Sequence, residues 1–75
     1  MITLVAQPGI NHAAFKAAMH SRNSDWRNNV QICHVAQRTR DGGKHIAIRI
    51  NPLRGYRLAA DAEQQAQEVL AEVTA

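Results

Sequence analysis

The residues able to do chemistry in this 75-residue chain are four histidines (His12, His20, His34, His45), one cysteine (Cys33) and six carboxylates. Their spacing does not suit a metal. No pair has the C-x2-C or H-x3-H separation of a structural zinc site. Cys33 and His34 are adjacent, so on a strand they point to opposite faces. Cys33 reads as a small buried hydrophobe. Acid–base and nucleophilic catalysis lack their usual constellations too. Four of the six acids (Asp61, Glu63, Glu68, Glu72) fall after residue 60, and neither a Ser-His-Asp spacing nor G-x-S-x-G is present. Gly42-Gly43 runs into a strand, whereas a phosphate loop needs a helix there. The expectation is a protein that is not an enzyme and uses no cofactor and no metal.

One local pattern points elsewhere. Gly42-Gly43-Lys44-His45-Ile46 resembles the Gly-Ser-His strand start of HicA-type toxins, small ribonucleases on a double-stranded-RNA-binding-like fold. The resemblance covers about five residues and implies His45 as the catalytic histidine. Gly43-Lys44 stands in the serine region, and Asn51-Pro52-Leu53-Arg54 stands where the family has its proline–histidine element. The chain also opens with a strand where that fold opens with a helix.

The basic residues form a more extended pattern. Arg38, Arg40, Lys44, Arg49, Arg54 and Arg57 concentrate around one hairpin and the turn after it. Residues 1–60 hold all nine Lys and Arg and only two acids, Asp25 and Asp41. The remainder holds four acids and no Lys or Arg. Such a basic body with an acidic end helix favours an anionic partner. Nucleic-acid backbone is one, although no aromatic lies among the strand residues to stack bases, Tyr56 being nearest, and no nucleic-acid-binding module is recognisable. An acidic protein surface is the other.

The elements that position these residues can be read in order. Residues 2–7 (ITLVAQ) form a first strand, stopped by Pro8-Gly9. Asn11 caps a helix over 12–22, with Ile10 and Phe15 as a hydrophobic staple and Phe15, Ala18, Met19 and Arg22 on one face. Residues 22–29 (RNSDWRNN) read as turn, with Trp26 folded back over the core. Residues 30–39 and 44–50 form a hairpin about a two-residue turn at Asp41-Gly42 or Gly42-Gly43. That turn would bury Cys33, Val35, Ile46, Ile48 and Ile50. It would leave Ile32, His34, Ala36, Arg38, His45, Ala47 and Arg49 on an open face; with the Asp41-Gly42 turn His34 lies opposite Arg49 and Arg38 opposite His45. A three-residue loop would reverse the faces of the first strand. Tyr56–Leu58 would add a short strand or lead into the last helix. There Asp61 and Gln64 read as a capping box, and Ala62, Ala66, Val69, Leu70 and Val73 form the apolar stripe.

The expected fold is a single α+β domain spanning 1–75, in the order β-α-β-β-α. Its sheet has three strands, or four, and both helices pack on one face. So short a chain has a thin core, which makes a homodimer as reasonable as a monomer. One cysteine, a start without a signal-peptide pattern and the absence of a long apolar run give a soluble cytoplasmic protein as the expectation. The functional expectation is an interaction protein that regulates or blocks a larger macromolecular machine by steric and electrostatic occlusion. Its partner-binding residues would be His34, Arg38, Arg40, Lys44, His45, Arg49 and Arg54, and the partner a protein or nucleoprotein. Glu63, Glu68 and Glu72 on the acidic helix offer a second surface. Phage and mobile-element inhibitors, anti-CRISPR proteins among them, are often chains of this size, without a shared motif. Direct RNA or DNA binding through the same hairpin is the alternative.

Overall fold

A computed structural model describes residues 1–74. It shows β1 (Ile2–Ala6), α1 (His12–Arg22), α2 (Trp26–Asn29), β2 (Val30–Arg38), β3 (Lys44–Pro52) and α3 (Ala62–Thr74). The strands form one antiparallel sheet in the order β1-β3-β2. The architecture is the expected small α+β domain, with an added single-turn helix at Trp26. Tyr56–Leu58 adds no strand.

The core lies between one sheet face and the helices. Leu4 and Ala6 of β1, Val30 and Ile32 of β2, and Ile48 and Ile50 of β3 meet Phe15 and Met19 of α1, Trp26, and Ala62, Ala66, Val69 and Leu70 of α3. Burying each large side chain contributes about 1.5–3 kcal/mol. Trp26 is therefore a principal core residue, although its indole N–H has no partner. Asn11 caps α1 as its sequence suggests, its Oδ1 accepting from Ala14 N at 3.0 Å. The cap on α3 differs from the expected box. Asp61 accepts from the Gln65 side chain at 2.8 Å, while Gln64 points its amide along the helix toward Glu68.

The hairpin corrects the expected faces. Thr39 N donates to Gly43 O at 2.9 Å and Gly42 N to Thr39 O at 3.2 Å. The loop is thus Arg40-Asp41-Gly42, with Gly42 at φ 85. This is the three-residue form that ends on a left-handed glycine. The Asp41 carboxylate accepts from the Thr39 hydroxyl and from Gly43 N at 3.1 Å. Those two bonds, the hydroxyl first, hold its carboxyl below the ordinary value. A loop with an odd number of residues pairs like parity: Ile32 with Ile50, Cys33 with Arg49, His34 with Ile48, Val35 with Ala47 and Arg38 with Lys44. On β3 the faces are as expected. On β2 they are exchanged: Ile32, His34, Ala36 and Arg38 turn to the helix side of the sheet, and Cys33 and Val35 turn to the open face.

Ile32→Ala is therefore expected to lower stability by about 2–5 kcal/mol, while Cys33→Ala costs under about 1 kcal/mol. Urea midpoints of the two variants check this; the reverse ranking would restore the two-residue turn.

Candidate interaction face

The sheet face away from the helices is built by odd-numbered residues of all three strands. Its middle row is Val5–Ala47–Val35, and the next is Thr3–Arg49–Cys33. Val5 and Val35 are 66% and 37% exposed, while Ala47 between them is buried. On the hairpin side of this apolar row, His45 Nε2 bonds Gln37 Oε1 at 2.9 Å. Arg49 stands exposed on the other side. The face thus combines an apolar centre with a cation and a fixed polar pair at its flanks.

The electrostatics follow from where the acids are held. Arg22, at the end of α1, reaches Glu68 at 2.5 Å and Glu72 at 2.7 Å on α3. These are the only ion pairs among the described residues. Two glutamates of the acidic helix are thus bound by Arg22, and of the expected trio only Glu63 has no ion-pair partner among the described residues. Asp41 is engaged within its own turn. Arg38, Arg40, Lys44, Arg49, Arg54 and Arg57 have no carboxylate partner among the described residues.

The residues expected to act together divide into groups. Arg38 and Lys44 are direct cross-strand neighbours at the end of the hairpin. With Ala36 and Gln37 they line a shallow recess, and Arg40 sits in the adjoining loop. His45 and Arg49 are on the open face. Arg54, with φ 50, lies beyond the far end of β3. At about 3.4 Å per residue that end is about 27 Å from Lys44, so Arg54 belongs to another part of the surface. Val5 and Val35 enter the site without having been expected there. Val5 follows from the burial of its neighbours Leu4 and Ala6 on β1, and Val35 from the three-residue loop that Thr39, Asp41 and Gly43 tie together, which sets the parity of β2.

His34 is not on this face. Its ring stacks on His12 with centroids 3.5 Å apart and planes at 33°, and Phe15 meets it edge-on at 5.8 Å. Both ring nitrogens are buried without a hydrogen-bond partner. The in-plane lone pairs of two stacked imidazoles do not converge on one point. No group of three or more His, Cys, Asp or Glu side chains suited to a metal occurs among the described residues. Loss of hydration first, then the nearby His12 and Lys16, push the His34 pKa down. No described helix is long and apolar enough to cross a membrane.

Comparison of the chain with protein-family models, curated proteins and solved structures finds no match in any of the three.

The His34 environment sets a pH dependence. Folded His34 resists the proton that the unfolded chain accepts near pH 6.5. Its stabilising effect is therefore complete above that pH and declines as pH falls from about 7 to 5. His34→Phe keeps an aromatic ring against His12 and Phe15 without titrating. Urea midpoints at the two pH values should drop for the wild type and drop less for the variant; parallel drops would assign the effect to other groups.

Proposed function

We propose that this protein is a non-enzymatic interaction module. It binds an acidic protein surface through its cationic hairpin and open sheet face, and regulates or blocks a larger assembly by occupying that surface. The observation that carries this reading is the juxtaposition of unpaired cations with an exposed apolar row. Of these cations Arg49 flanks Val5–Ala47–Val35 on the open face itself, while Arg38 and Lys44, turned to the helix side by their even parity, stand with Arg40 at the hairpin end of the same sheet. An apolar centre within a polar, charged rim is the layout of a protein–protein contact. The valines favour apolar side chains of a partner, the His45–Gln37 pair supplies directional hydrogen bonding, and the cations speed encounter and select against basic partners.

Nucleic-acid binding is the second reading, favoured by the clustering of Arg38, Arg40 and Lys44 at one hairpin end. It would use the cations as phosphate contacts and would not need the valines, and among the described residues no Phe, Tyr or Trp stands on the open face for base stacking.

The two readings separate in a pull-down from lysate, with and without nuclease, using the wild type, Val5→Asp/Val35→Asp and Arg38→Ala/Arg49→Ala. A protein retained after nuclease, lost with the valine variant and weakened about tenfold or more by the arginine variant, is the expected outcome. Binding of naked RNA or DNA that survives the valine variant, with a salt slope reduced by about one per phosphate contact removed, would replace it with the second reading.

A further inference from the structure

The free edge of β2 has main-chain groups whose direction the ladder fixes. Asn29 O accepts from Leu53 N at 2.8 Å, and Thr39 N donates to Gly43 O at 2.9 Å. Both couples continue the register that pairs Val30 with Pro52 and Arg38 with Lys44. They are hydrogen-bonded pairs of an antiparallel ladder, in which such pairs alternate with non-bonded ones. Odd-numbered residues of β2 therefore turn N–H and C=O toward β3. Ile32, His34 and Ala36 turn theirs outward, and no other described segment bonds to them. Val30, at the start of the strand, is already closed by its N–H to Trp26 O.

This edge lacks the devices that usually blunt an exposed strand. Residues 31–37, QICHVAQ, contain no Lys, Pro, Gly or acid, and β2 is nine residues long. The other edge, β1, has five residues and runs into Pro8-Gly9. Only the β2 edge leads directly into Arg38 and the hairpin loop, with Lys44 across from Arg38.

We propose that the β2 edge receives an extended acidic segment of the partner as a fourth strand. Its main chain pairs with Ile32, His34 and Ala36, and its carboxylates lie against Arg38, Arg40 and Lys44. The proposal rests on the reading that the partner is an acidic protein, and specifies how it is held. Strand addition draws affinity from main-chain bonds and specificity from side chains beside them. Charge complementarity selects this occupant. A second copy of the chain would bring an uncharged strand ending in its own Arg38 and leave the hairpin cations unmatched. In antiparallel addition the carboxylates occupy the N-terminal end of the segment. Alternate side chains behind them continue the open face beside Val35 and Cys33, where apolar groups fit.

Amide exchange measured by NMR tests this on the intact chain. In the free protein the His34 and Ala36 amides should exchange about tenfold or more faster than those of Val35 and Gln37. The probe is the peptide Asp-Glu-Asp-Val-Thr-Val-Thr-Val, with Lys-Lys-Lys-Val-Thr-Val-Thr-Val as control. At about 1 mM the acidic peptide should slow His34 and Ala36 about tenfold, and the lysine peptide should not. Arg38→Glu/Lys44→Glu should exchange that preference. Ala36→Pro removes an edge N–H without touching the β3 ladder, and should abolish the protection while the remaining spectrum stays folded. Slow His34 and Ala36 amides in dilute free protein would overturn the proposal, as would slow exchange appearing only at high protein concentration, which assigns the edge to a second copy. Failure of the acidic peptide to bind overturns it as well. Peptide shifts confined to Val5 and Arg49 would overturn the edge docking and leave the acidic-partner reading standing. If, in addition, Arg38→Ala/Lys44→Ala leaves capture of the lysate partner unchanged, both readings fall.

Discussion

The register of the β2–β3 hairpin is the constraint on which the other features depend. It is set within a few residues: Gly42 takes a conformation that L side chains adopt rarely, and Asp41 ties Thr39 to Gly43 across the loop. Shifting the pairing by one residue would turn every β2 side chain over. Ile32 would leave the core, His34 would leave its stack on His12, and the valine row of the open face would lose Val35. A few exposed hydrogen bonds therefore decide which residues hold the domain together and which face outward.

The second constraint is the clasp of Arg22 on Glu68 and Glu72. Exposed ion pairs contribute little to stability, about 0–1 kcal/mol, so the clasp matters more for where charge ends up than for holding the fold. It joins α1 to α3 and occupies two of the four acids beyond residue 60. Asp41 is occupied by its own turn. The molecule's carboxylates are thus largely directed at its own groups, whereas the cations of the hairpin are not. A modest formal charge of +3 consequently understates how basic the hairpin end of the surface is.

Much of this was legible in the residues. Asn11 ahead of an alanine-rich segment with apolar spacing defined α1 to the residue, and the stripe Ala62, Ala66, Val69, Leu70 and Val73 defined the buried side of α3. Pro8-Gly9 ended β1, and the isoleucines at 46, 48 and 50 marked the core side of β3. What failed was parity on β2. Two apolar alternations coexist there, Ile32 with Ala36 and Cys33 with Val35, and neither is the more hydrophobic by a margin that decides the face. The loop decides it, and Asp-Gly and Gly-Gly are turn signals for loops of either length. The error carried His34 onto the wrong face and Val35 off the right one. Pairing of Arg22 with α3 was hidden for a different reason: it joins positions 46 and 50 residues apart, and only packing brings them together.

Parity also separates the two kinds of group this sheet presents, side chains on its open face and main chain at its free edge. On β2 the even residues direct side chains to the helix side of the sheet and, from Ile32 to Ala36, main-chain groups to the free edge. The odd residues direct side chains to the open face and main-chain groups to β3. A strand added at the edge would therefore read nothing of Ile32 or His34 except their peptide groups, which any residue supplies. The edge by itself would accept strands of many sequences. Discrimination has to come from the neighbouring odd side chains, Cys33 and Val35, and from the cations where the strand meets the hairpin. The uncharged run before Arg38 would then act as a generic rail, and the unpaired Arg38, Arg40 and Lys44 at its end would set which strands are retained. Since core side chains and edge main chain belong to the same residues, the packing of Ile32 and His34 under α1 also holds the edge in place. Loosening the His12–His34 stack would be felt at the edge before it reached the hairpin cations.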